Sequence, residues 1–89
     1  MSYTTNELTV DQIRQKIQAV LLNVLPDVSL SDLSDEVDIF TLGLDSINAM
    51  TLIFNLQEAF GVEFDPGEIN FENFQTIQDM VRLISSKQG

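Results

Sequence analysis

The fifteen residues from Ser46 to Phe60 are apolar on more sides than a helix covering a core requires, and this leaves the chain few architectures. Ala49, Leu52, Ile53, Leu56 and Phe60 form one broad inward face at helical spacing. Ile47, Met50 and Phe54 form a second stripe at i, i+3 and i+7. That stripe either closes against a neighbouring helix and loop or is partly exposed as a surface for a partner, which adaptable Met and large Phe suit, and the second outcome is favoured because the stripe begins beside Ser46. Asp45 and Ser46 are good N-terminal residues, and Gly61 is a natural C-terminal cap. The helix therefore starts at Asp45 or Ser46, with the Ser46 hydroxyl at its mouth. Unpaired backbone N–H groups and the positive end of the helix dipole meet there, so a phosphoryl group on that hydroxyl sits in a favourable field.

Two further helices flank this one. Thr9-Val10-Asp11-Gln12 has the pattern of a capping box, and Ile13, Ile17, Val20, Leu21 and Val24 follow on one face until Pro26 forces an end near Asn23 to Leu25. Thr76 caps a last helix with Ile77, Met80, Val81 and Ile84 on one face and Leu83 beside them, and Ser85 to Gly89 is expected to fray. Between them, Ile69 to Phe74 is too short for an independent helix and predicts one turn or slightly more, after turn chemistry at Asp65-Pro66-Gly67-Glu68. Val62-Glu63-Phe64 alternates like a strand but has no partner, so an extended connection is expected. The fold class is all-α: a small four-helix bundle with three longer helices, one short one and a long loop before the second.

That loop, from Asp27 to Thr41, scatters Asp27, Asp32, Asp35, Glu36 and Asp38 among aliphatic residues. Its aliphatics are expected under the helices and its carboxylates in water, with one short helical turn over Ser31 to Ser34. Phe40 and Leu42 serve as anchors before Ser46. A calcium-binding loop needs a central glycine and a closing glutamate, and neither stands where it should.

Eighty-nine residues make one domain, with an ordered core over about 9–86. Fourteen acidic against four basic side chains give a net charge of −10, which argues against nucleic acid and against adsorption to anionic lipid. The lack of histidine and cysteine removes the usual general base and the commonest transition-metal ligands, so Ser46 has no evident activating partner for hydrolysis. Met1 to Leu8 resembles neither a secretory signal nor a transit peptide, and no apolar run is long enough to span a membrane. A cytoplasmic monomer is the expectation.

Leu42-Gly43-Leu44-Asp45-Ser46-Ile47 resembles the attachment motif of acyl carrier proteins and peptidyl carrier domains, Gly-x-Asp-Ser followed by a bulky aliphatic residue. The likeness extends from about Thr9 to Ser86. It implies a non-catalytic carrier with 4'-phosphopantetheine from coenzyme A on Ser46, Asp45 as its motif neighbour, and acyl or aminoacyl groups held as thioesters. A phosphopantetheinyl transferase, a loading enzyme, and a ketosynthase or acyltransferase are the implied partners. Because the second helix is the recognition helix of this family, Ile47, Met50, Thr51, Phe54 and Glu58 become candidate partner contacts; Leu52, Leu56, Phe71 and Phe74 become candidates for an acyl cavity. Asn48, Thr51, Asn55 and Gln57 replace acids common on that helix in fatty-acid carriers, so a specialised lipid, polyketide or nonribosomal peptide pathway is favoured over central fatty-acid synthesis. The rival reading is an unmodified acidic adaptor for a basic protein, in which Ser46 is only a helix cap.

Overall fold

The computed structural model describes residues 8–88. Four α-helices carry the fold: α1 (Val10–Val24), α2 (Ser46–Phe60), α3 (Phe71–Phe74) and α4 (Ile77–Gln88). Among the described residues there is no strand, and Val62 to Phe64 is an extended connection.

Local chemistry sets the helix ends. Thr9 Oγ1 accepts the Gln12 N–H at 3.1 Å while Gln12 Oε1 accepts the Thr9 N–H at 2.9 Å, satisfying two otherwise orphaned donors at the start of α1. The C-terminus of α2 turns through Gly61 at φ +64°, and Lys16 Nζ donates to the Ala59 carbonyl at 2.8 Å while lying over the Phe60 ring. Thr76 Oγ1 accepts the Asp79 N–H at 3.0 Å and opens α4. That helix continues through Gln88 instead of fraying from Ser85. The Gln88 side-chain amide is paired with both backbone groups of Leu8, accepting its N–H at 2.9 Å and donating to its carbonyl at 3.2 Å.

Packing of α1 against both α2 and α4 encloses Ile13, Ile17, Leu21, Leu52, Leu56, Ile77, Met80 and Ile84, each essentially removed from water. A buried aliphatic side chain contributes roughly 1.5–3 kcal/mol relative to exposure, so this cluster dominates the favourable side of folding. Lys16, midway along α1, reaches the C-terminal end of α2, and Gln88 at the end of α4 pairs with Leu8 just ahead of α1, so α1 and α4 are antiparallel.

The long loop is more tightly held than an acidic, solvated connection would be. Short 3₁₀ turns form at Leu30–Asp32 and Ile39–Leu42. Arg14 Nε donates to Asp35 at 2.9 Å, and the Asp35 carbonyl accepts the Gln78 N–H at 3.0 Å. Asp38 caps Phe40 N–H at 2.9 Å and accepts from the Gln75 side chain at 3.2 Å, while Ile39 N–H donates to the Gln75 carbonyl at 2.9 Å. Two of the carboxylates expected in water are thus ties to α1 and to the α3–α4 junction. The deepest anchor before Ser46 is Ile39, wholly buried, with Phe40 and Leu42 only partly so.

Candidate functional site

The approach to Ser46 is built in three steps. The Ile39–Leu42 turn ends at Gly43, whose φ of +109° lies in the left-handed region that L side chains avoid. No atom stands within 4 Å of where a Cβ would sit, so the backbone angle and not the space calls for glycine. Leu44 then turns inward and is buried. Asp45 is extended, and its carboxylate accepts the Asn48 N–H at 2.8 Å, which makes Asp45 the N-cap of α2. Ser46 follows as the first helical residue, exposed to solvent.

Beside Ser46 an open, largely apolar groove of about 550 Å³ runs between α2 and the 69–74 segment. Ala49, Met50 and Ile53 form the α2 side, and Ile69, Phe71 and Phe74 the other. Phe40 closes the end, its ring 4.9 Å from that of Phe71. Of the four residues expected to shape a cavity, Phe71 and Phe74 line this groove. Leu52 and Leu56 do not: both are fully buried in the core. Helical period put them on the inward face together with Ala49 and Ile53, but could not say that Ala49 and Ile53 at the edge of that face, with Met50 from the second stripe, meet the groove. Ile69 and Phe40 were likewise missed as groove residues, since only the tertiary fold brings them there.

The second stripe of α2 is exposed: Ile47 by 78%, Met50 by 73% and Phe54 by 61%. Thr51 and Glu58 are exposed on the same helix. Isolated apolar side chains on a surface need no explanation, but three large ones in a row, continuous through Met50 with the groove, form a patch of the kind that marks an interaction surface.

Fold and site together define a small helical domain that presents one serine beside an apolar groove. The phosphopantetheine attachment site family matches residues 11–84, and the chain belongs to it. It is 35% identical over 72 residues to the D-alanyl carrier protein of Lactobacillus acidophilus, covering 78% of this chain and 91% of that one. It is 34% identical over 55 residues to an aminoacyl carrier protein of Agrobacterium fabrum, 58% of this chain and 66% of the relative. A chain in the crystal structure of an engineered Bradyrhizobium japonicum glycine:[carrier protein] ligase complexed with a carrier protein from Agrobacterium tumefaciens and ATP superposes with a TM-score of 0.76. That match has 25% identity and covers 83% of this chain and 97% of the other.

The protein is therefore a non-catalytic carrier, in which a covalently attached phosphopantetheine arm holds intermediates as thioesters. Its residues suit such a group on structural grounds. A phosphate ester at the start of α2 is favoured by the helix dipole, the serine is accessible, and an apolar groove adjoins it.

Proposed function

We propose that Ser46 carries the arm, transferred from coenzyme A by a phosphopantetheinyl transferase, and that the cargo is an amino acid or short acyl group loaded in the cytoplasm by an ATP-using ligase. The observation that carries the attachment reading is the division of labour at the start of α2. Asp45 supplies the cap, so Ser46 is not needed for that purpose, and the explanation that would make it a plain structural serine loses its footing.

The cargo reading draws on two supports. The interior between α1, α2 and α4 is filled by Leu52, Leu56, Met80 and Ile84, each 1% exposed or less, so room beside Ser46 is limited to the open groove. The relatives named as D-alanyl and aminoacyl carriers point the same way. Ile47, Met50, Thr51, Phe54 and Glu58 form the surface on which transferase and ligase dock. A ketosynthase or acyltransferase partner belongs to the lipid and polyketide alternatives.

Incubation with coenzyme A, magnesium ion and a broad-specificity phosphopantetheinyl transferase should add one phosphopantetheine to the intact mass, and S46A should stay unmodified. An unchanged mass in a folded sample, or equal modification of S46A, refutes the assignment. The holo-protein is then offered amino acids or fatty acids with ATP and candidate ligases. Efficient loading of long fatty chains, with chemical-shift changes at Leu52 and Leu56, would replace the short-cargo reading by one in which the core opens.

A further inference from the structure

The outer wall of the groove, from Ile69 to Phe74, is made of an element that cannot hold its own shape. A four-residue helix is far below the length at which helices persist alone, and Ile69 and Phe71 are about half exposed. What fixes it lies at its base. The Asp65 N–H donates to Glu68 Oε1 at 2.8 Å, and the Asn73 side chain donates to the Glu68 carbonyl at 2.8 Å, so Glu68 organises both the preceding turn and the helix. The same carboxylate lies 2.7 Å from Lys87 Nζ in the last turn of α4, with the two side chains only 29% and 18% exposed. Lys87 Nζ also sits 5.9 Å from the centre of the Phe64 ring, which meets Phe74 edge-on at 5.4 Å. Among the described residues this is the one ion pair that ties the 62–74 segment to the rest of the bundle.

We propose that the Lys87–Glu68 pair is a positioning latch for the groove: it holds the 66–74 segment against α4 so that Ile69 and Phe71 stand opposite Met50, and its release loosens the wall without unfolding the bundle. Lys87 and Glu68 touch neither Ser46 nor the groove, so they act through the wall they position. Exposed ion pairs contribute little, but a pair this far withdrawn from water, with its carboxylate also bonded to backbone, leaves a poorly solvated partner when one member is lost. The consequence for anything carried by the arm rests on the assignment of Ser46; the latch itself does not.

The test separates the two. Amide hydrogen exchange is measured on the unmodified full chain and on K87Q, E68Q, K87R and the charge-swapped E68K/K87E, together with thermal melting of each. In K87Q and E68Q the amides of residues 68–74 should exchange about fivefold faster or more, while those in the middle of α1 and α4 keep parental rates, as local opening requires. K87R should retain protection, and the swap should restore only part of it, since a lysine at position 68 regains the ion pair but cannot accept the Asp65 N–H. Unchanged exchange in 68–74, or a uniform rise throughout α1 and α4, overturns the latch. So does loss of protection in a K87R chain that melts like the parent. On the modified protein, an environment-sensitive fluorophore on the arm thiol should shift to longer wavelength in K87Q if the wall shelters it. A chain that accepts no arm defeats the Ser46 assignment and leaves the exchange data to decide the latch.

Discussion

At Gly43 the strained angle and the open space around it separate two reasons for glycine. Since nothing would clash with a methyl group, G43A should cost only the backbone term, about 1–3 kcal/mol by denaturant unfolding, and should also misplace Ser46 enough to slow its modification. Asp45 is separable in the same way. D45A loses the cap on α2 and should destabilise by about 1 kcal/mol, whereas D45N keeps an acceptor for the Asn48 N–H and should melt near the parent. Any loss of modification in D45N then reports on charge and not on the fold. Glu68 is the residue with a pH signature. Lys87 first, and the Asp65 N–H second, hold its carboxyl below the usual carboxylate range. A depressed folded-state pKa contributes stability at neutral pH that is lost as pH falls through that depressed value. Protection of residues 68–74 should thus persist through mild acid and collapse below the ordinary carboxylate range, with Asp65 and Glu63 the other acids near this surface.

Among the elements, α2 carries both predictions and lessons. L52A removes a fully buried side chain from a tight core and should cost about 2–5 kcal/mol. M50A and F54A remove side chains that are mostly in water, so their melting should stay within about 0.5 kcal/mol of the parent. If the stripe is the docking surface, their loading should fall about tenfold or more, as loss of an apolar anchor implies. A stable F54A loaded at the parental rate would remove the stripe from recognition. The bounds of α2 were legible because Asp45 and Gly61 mark its ends chemically, and the capping box of α1 was legible for the same reason. The loop was not. Arg14 with Asp35, and Gln75 with Asp38, are pairs between distant positions, and no local period announces which carboxylate meets a partner. The groove was half legible, because periodicity names a face without naming the neighbour it meets. The length of α4 was misjudged because its last residues are held by Leu8, a contact invisible to local propensity.

Over the whole molecule, charge is distributed unequally between what is engaged and what is offered. All four basic side chains are committed internally: Arg14 to Asp35 and Asp11, Lys16 to the end of α2, Arg82 to Asp79, and Lys87 to Glu68. With a net charge of −10, the field a partner meets is that of carboxylates, yet the exposed stripe from Ile47 to Phe54 contains none. Encounter and grip are therefore separable. Raising salt from low to physiological strength should slow association by steering alone, leaving the dissociation rate close to its low-salt value, while F54A should speed dissociation with the salt response intact. Stopped-flow association with the loading enzyme distinguishes these, and a dissociation rate that climbs steeply with salt would place the grip on the acids. The pairing of Gln88 with Leu8 has a separate consequence, one of topology. Because positions 8 and 88 touch, the described chain is nearly a closed ring, and the order in which its helices are translated is not imposed by their packing. A circularly permuted protein with a short linker joining these positions, and new ends at the exposed Asp27, should recover the parental helical spectrum and still accept modification at Ser46.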